Sequence, residues 1–239
     1  MLTVDLRSLG LRNGDRVLDL GCGEGRHLHA MYYDAKVHAV GVDLGFDDVV
    51  KTREGFQRYP DISPNEGQGF SLTVGNALTL PFEDDTFDKI VCSEVLEHIP
   101  DYKTALREIE RILKPGGTLA VSVPRYWPEW ICWKLSSEYH NTPGGHVRIF
   151  NAGELRDDIE RTGMSYFRKH WAHGLHSPYW WLKCWRWEKR DTWFPIRMYH
   201  KFLVWDLMKR PLLTRILEKF FDPLMGKSVV LYFSKRPTT

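Results

Sequence analysis

The chain has 239 residues, 43% hydrophobic and 27% charged, with a formal net charge of +2. That length suits one domain with a sizeable insertion, and that balance excludes a disordered chain. So small a net charge gives no argument for nucleic-acid binding by itself, and no run approaches the roughly 18 apolar residues that span a bilayer.

Charge and tryptophan are unevenly spread. The stretch from Lys183 to Lys219 holds ten Lys/Arg against four Asp/Glu, a local +6 that leaves about −4 for the remainder. All ten tryptophans lie between Trp127 and Trp205. The four cysteines, Cys22, Cys92, Cys132 and Cys184, form no CxxC pair, which suits a reducing compartment. With no apolar leader at Met1–Arg7, the expected location is the cytoplasm.

In chain order, Arg16–Leu20 (RVLDL) reads as a buried parallel strand running into glycines. The turn Gly21–Gly25 leads into a helix from about Glu24 to Asp34. A second strand, Val37–Val42, ends at Asp43. Phe46–Tyr59 reads as a helix stopped by Pro60, and Asp61–Gly69 as a loop. Strands follow at Phe70–Val74, Lys89–Cys92 and Thr118–Val123, with a turn at Pro81–Thr86. Between the last two of these strands lies a helix, Asp101–Leu113, whose Ala105, Ile109, Ile112 and Leu113 share a face. Lys114-Pro-Gly-Gly117 ends that helix. Asn151–Arg161 is a further helix with Asn151 as N-cap and Gly163 as stop. Met164–Trp171 and Lys227–Ser234 complete the strands.

The alternation predicts an α/β fold: a Rossmann-like, doubly wound, seven-stranded, mostly parallel sheet with helices on both faces. The segment 172–226 is too long for a connection and predicts an insertion with one or two helices. Together with 124–146 it is expected to form a lid or substrate-docking region on a single domain spanning 1–239.

The sharpest motif is Asp19-Leu-Gly21-Cys-Gly23-Glu-Gly25 directly after a strand. Glycines there let the backbone turn sharply and approach a ligand, and the helix N-terminus that follows favours an anionic group. Alone, the pattern also fits a dinucleotide-binding protein. Later features narrow it. Asp43 ends the second strand where a ribose hydroxyl pair needs an acceptor. Gly75-Asn76-Ala77, Leu80-Pro81-Phe82, Phe87-Asp88 and Leu113-Lys-Pro-Gly-Gly117 then come in order.

This string, from Arg16 to about Val123, resembles the class I S-adenosylmethionine-dependent methyltransferases, especially the branch that includes the ubiquinone and menaquinone methyltransferases. The resemblance implies that Asp19, Gly21 and Gly23, with Cys22 between them, line the methionine end of S-adenosyl-L-methionine. It implies that Asp43 accepts both ribose hydroxyls, Leu44 packs on the adenine, and Asn76 and the Ala77 amide read the adenine edge. Asn76 stands where the family often has Asp, though its amide oxygen still accepts hydrogen bonds. As an ordinary turn residue it is equally at home. Ser93 and Glu94 fall near the methionine moiety.

A second constellation, Glu94, Glu97 and His98, sits at i, i+3 and i+4, on one side of a helical turn. It resembles the metal site of O-methyltransferases of quinone biosynthesis and small-RNA 3′-end methylation. His146 in Gly144-Gly-His146-Val-Arg148 is the candidate fourth ligand, ahead of His140. The favoured expectation is no metal, with His98 as a base or polar wall. A phenol or enol acceptor needs a base, for which His98, His146 and Tyr126 are candidates, His98 first.

The second half is aromatic and cationic. Trp127, Trp130 and Trp133 are spaced for one helical face. Trp180, Trp181, Trp185 and Trp187 are interleaved with Lys183, Arg186, Lys189 and Arg190. This predicts a lid over an apolar pocket together with the insertion's own core. A peripheral membrane surface is an alternative, and an RNA surface is disfavoured. The expected function is methyl transfer to an O or C nucleophile of a hydrophobic or amphipathic small molecule, quinone-, lipid- or polyketide-like. The alternatives are an RNA methyltransferase of this fold and a non-catalytic cofactor-binding protein.

Overall fold

The computed structural model describes residues 2–57, 68–142, 144–209 and 211–237. Its strands are Arg16–Leu20 (β1), His38–Asp43 (β2), Gly69–Val74 (β3), Phe87–Ser93 (β4), Leu113–Pro124 (β5), Met164–Ala172 (β6) and Ser228–Lys235 (β7). They join in one sheet of order β3-β2-β1-β4-β5-β7-β6. β1 to β5 pair in parallel, and β7 enters antiparallel between β5 and β6. This is the expected doubly wound α/β sheet, and its order reverses between β1 and β4, where open sheets of this kind place their ligands.

The helices are Leu6–Leu9 (α1), Arg26–Asp34 (α2), Phe46–Gln57 (α3), Tyr102–Ile112 (α4), Tyr126–Leu135 (α5), Ser137–Asn141 (α6), Ala152–Glu160 (α7), His176–Trp185 (α8), Phe194–Lys209 (α9) and Leu212–Met225 (α10). Alternate residues of the central strands serve opposite faces. Leu18, Val40, Ile90 and Leu119 pack with Ala105, Leu106, Ile109 and Ile112 of α4 and with Leu155 and Ile159 of α7. Val17, Ala39, Val91, Ala120 and Val230 pack with Leu28, Met31 and Tyr32 of α2. With both faces covered, β1 is buried from Val17 to Leu20, as its apolar run predicts.

Several expectations are corrected. α2 starts at Arg26, because Gly25 takes a left-handed φ of 81° and serves as its N-cap. The strand expected from Thr118 starts at Leu113, directly after α4. Leu113 already pairs with Phe87, and the register shifts before Lys89 pairs with Thr118. The Pro-Gly-Gly stretch is thus a bulge, with Gly116 at φ 77°. Among the described residues the insertion before β7 holds three α-helices rather than one or two, with Pro211 as the N-cap of α10. Segment 124–146 forms α5 and α6. The reading of 58–60 as the end of α3, and of 61–67 as loop, lies outside the described residues.

The three tryptophans of α5 do not bury one face. A three-residue spacing drifts about 60° per step on a helix of roughly 100° per residue. Trp127 and Trp130 are exposed, and the buried positions are Pro128, Glu129 and Cys132. α5 is held to α8 by the Trp181 indole, which donates to the Pro128 carbonyl at 3.0 Å, and by the Trp127–Trp181 ring contact.

Candidate active site

The carboxyl end of β1 folds into the turn that the glycines predict. The Gly21 and Cys22 amides both donate to the Val42 carbonyl, at 2.7 and 3.0 Å, locking the turn to the end of β2. Gly21, at φ 72°, is the position with no alternative residue: a Cβ there would lie 2.3 Å from Val95 Cγ2. At Gly23, by contrast, an added Cβ meets nothing within 4 Å, so open space lies in front of this part of the turn. Asp43 Oδ2 accepts the Gly23 amide and Oδ1 the Gly45 amide, each at 2.8 Å. Each oxygen keeps a further lone pair, which suits two adjacent hydroxyls. Leu44 beside it is 74% exposed.

Asp19 and Cys22 take supporting places. Asp19 is buried and accepts the Leu28 amide in the first turn of α2 at 3.0 Å. Burial pushes its carboxyl up to about 7. It holds the turn to the helix. Cys22 is also buried, its thiol pushed up to about 12 by desolvation. Asn76 Oδ1 accepts the Leu78 amide at 2.9 Å, so its side chain closes its own turn. That is the ordinary turn role, with one lone pair left over.

Ser93 ends β4 and Glu94 follows it. The Ser122 hydroxyl links them, 2.8 Å from Ser93 Oγ and donating to Glu94 Oε1 at 2.9 Å. Glu94 adopts φ 58°, a left-handed conformation costly for a side-chain-bearing residue. It lines both a cavity of about 450 Å³ and one of about 350 Å³.

His98 and His146 line the smaller cavity together, their rings 4.9 Å apart. His98 Nδ1 is 3.3 Å from the Gly145 carbonyl, and burial lowers its pKa. His146 Nδ1 is 2.6 Å from Glu129 Oε1. Glu129, from α5, also accepts from Trp133 Nε1 at 3.2 Å, the Tyr139 hydroxyl at 3.3 Å and Lys227 Nζ at 3.5 Å. Burial pushes the Glu129 carboxyl up, but the His146 bond, Lys227 and Tyr139 outweigh it and hold the pKa at about 2. Burial likewise opposes the Lys227 charge, yet Glu129 and Glu94 hold its pKa above the ordinary lysine value. Tyr126, the third base candidate, is not brought in: it opens α5, is 52% exposed and lines neither cavity.

The cation-ligand alternative is also rearranged. Leu96–His98 is one 3-10 turn that starts after Glu94, so Glu94, Glu97 and His98 do not share a helical side. One donor atom each of Glu97, His98 and His146 lies within 4.8 Å of the other two. Glu97 is fully buried, and neither carboxylate oxygen has a partner among the described residues. Desolvation and the nearby Glu94 raise its pKa well above the ordinary range.

Sequence reading missed Glu129, Lys227, Arg26, His173 and His176, all placed in or beside the cavities. Glu129 had a signal: it is the one acid in the apolar run Trp127–Trp133. Lys227 had none, since it reads as the head of a strand.

A glycine turn at the end of β1, an acid at the end of β2 and a seven-stranded sheet with β7 antiparallel together define the class I S-adenosylmethionine-dependent methyltransferases. Residues 3–167 match a family described as a methyltransferase domain, and the chain belongs to that family. It is 28% identical over 152 residues to a sterol 24-C-methyltransferase of Saccharomyces cerevisiae, covering 64% of this chain and 36% of that one. It is 34% identical over 113 residues to a demethylmenaquinone methyltransferase of Staphylococcus aureus, covering 47% and 44%. The matched stretch thus spans less than half of those relatives. Among solved structures, the Bacillus YcgJ protein superposes with a TM-score of 0.64 at 21% identity, over 98% of this chain and 97% of that one. The [4+2]-cyclase SpnF superposes equally well, at 0.64 and 19%, over 97% and 79%. The fold therefore does not fix the reaction.

Proposed function

We propose that the chain transfers a methyl group from S-adenosylmethionine to an oxygen of a hydrophobic or amphipathic small molecule. The observation that carries this reading is the bond between Glu129 and His146, which lines the cavity of about 350 Å³ together with Glu94. The open space before Gly23 and the two-amide hold on Asp43 suit the nucleoside donor. When bound, that donor supplies an electrophilic methyl on a sulfonium sulfur.

The chain's own residues supply position and a base. Glu129 is held ionised and takes the His146 Nδ1–H, which fixes the tautomer and leaves Nε2 free to accept an acceptor's hydroxyl proton. Tyr139, Trp180 and Trp187 give the same cavity apolar walls. The sterol and quinone in the relatives' names are lipophilic, which favours a lipophilic acceptor here. The test is transfer of labelled methyl to detergent-dispersed phenols, quinols and hydroxylated lipids. His146→Gln is expected to lower kcat by about 10²-fold or more, the usual contribution of a general base. Unchanged kcat contradicts the assignment.

A second reading rests on the orphaned Glu97 carboxylate. Glu97, His98 and His146 would hold a divalent cation, which would bind acceptor hydroxyls and lower their pKa. Chelation separates the two: activity that survives a metal-free preparation supports the base, and activity restored only by added metal supports the cation.

A further inference from the structure

The insertion carries a second set of donors that methyl transfer does not use. β6 ends at Ala172, and the turn that follows, His173-Gly-Leu-His176, opens α8. This turn is clamped to α10. The Gly174 amide donates to Asp222 Oδ1 at 2.7 Å, and a Cβ at Gly174 would lie 2.7 Å from the Phe221 backbone. His173 takes φ 66°, a conformation that a histidine holds only where its surroundings enforce it. Glu218 lies one helical turn before Asp222, so the same clamp brings it to the two histidines.

One donor atom of each of His173, His176 and Glu218 lies within 4.8 Å of the other two. Among the described residues, His173 Nδ1, His176 Nδ1 and Glu218 Oε1 are buried with no hydrogen-bond partner. Three orphaned polar atoms in one place carry the full cost of desolvation unless something absent from the chain pairs them. The other His173 nitrogen, Nε2, is 3.0 Å from Thr3 Oγ1, the kind of outer hydrogen bond that orients a ligating imidazole. Asp206, itself buried, acts electrostatically on both His176 and Glu218, and Asp222 acts on Glu218. Arg26 acts against protonation of both histidines and Lys227 against that of His176, and both cations line the cavity of about 450 Å³ that His173 and His176 share.

We propose that His173, His176 and Glu218 form a binding site for a divalent transition metal of the zinc class. Two imidazoles and a carboxylate are its preferred donors, and they leave a fourth position for water or a substrate oxygen. The ion ties the β6–α8 turn to α10 and so fixes the wall of the larger cavity. This site is separate from Glu97, His98 and His146, and it stands whether or not those residues bind a cation.

The test uses Co2+ alone as the probe, titrated into the metal-free chain carrying His98→Ala to disable the other donor set. The visible absorption of a Co2+ ion held by nitrogen and oxygen ligands reports occupancy. One ion per chain is expected, with affinity reduced at least tenfold by adding His176→Ala or Glu218→Gln. Zn2+ is expected to raise the thermal midpoint of the His98→Ala chain and to leave that of His98→Ala/Glu218→Gln where it was. Circular dichroism establishes that each variant is folded before titration. Absence of a bound ion in the His98→Ala chain overturns the proposal, as does an affinity that survives both further substitutions.

Discussion

A methyl group at Gly21 challenges the cofactor turn at its tightest point. The added carbon would sit 2.3 Å from Val95 Cγ2, on a backbone at φ 72°. The left-handed conformation alone disfavours a side chain by about 1–2 kcal/mol. Gly21→Ala is therefore expected to weaken binding of S-adenosylhomocysteine by at least about tenfold, read by calorimetry, since about 1.4 kcal/mol is tenfold in affinity. Equal affinity would show that the turn does not touch the nucleoside. Asp43, Gly21 and Gly23 could be picked out from sequence because a single local pattern, strand then glycines then acid, encodes them. The supporting role of Asp19 could not, because it depends on a partner, the Leu28 amide, that only the folded turn brings near.

Elements meet at Glu129. This one carboxylate links α5 to the loop bearing His146, to Tyr139 in α6 and to Lys227 at the head of β7. Its pKa is about 2 in the fold against an ordinary 4.5. The native state thus favours the ionised form. The stabilisation is complete above pH 4.5 and is lost as pH falls through 4.5 toward 2. At about 1.4 kcal/mol per unit it amounts to about 3 kcal/mol. Urea unfolding followed from pH 6 to about 2.5 is expected to show a steep acid loss in the parent. Glu129→Gln is expected to be less stable at neutral pH, with the buried Lys227 left to Glu94 alone, and flatter across the acid window. Parallel curves for the two proteins would contradict the link. None of this was legible locally, because Lys227 is 98 residues from Glu129 and His146 is 17 residues away. The strands and α4, by contrast, were legible because burial imposes a period on consecutive residues. The count of helices in the insertion was not, since α9 and α10 carry apolar and basic residues on the same outward surfaces.

Both α9 and α10 carry a row of exposed apolar side chains. Along α10, Leu212, Ile216, Phe220 and Leu224 recur every four residues and are 52–71% exposed. Phe194, Met198, Trp205 and Met208 extend the apolar exposure along α9. Arg197, Lys201, Lys209, Arg215 and Lys219 lie among them, also exposed. Among the described residues no helix is long and apolar enough to cross a membrane. An apolar ridge set among cations instead suits lying on an anionic bilayer, which would bring a lipophilic acceptor to the cavities. Sedimentation with phosphatidylglycerol-containing vesicles is expected to carry the parent down, with at least a tenfold loss in Ile216→Asp/Phe220→Asp. Failure to bind vesicles contradicts this reading, whether the ridge then proves to pair two copies of the chain or to bind single-stranded RNA.

All of these scales depend on a methylated sulfonium nucleoside seated between the β1 turn and Asp43. Isothermal titration of the purified chain with S-adenosylmethionine and its demethylated product tests that directly. The account predicts one site per chain for each ligand, with binding weakened at least tenfold in Asp43→Ala. Heat traces indistinguishable from dilution for both ligands would contradict it.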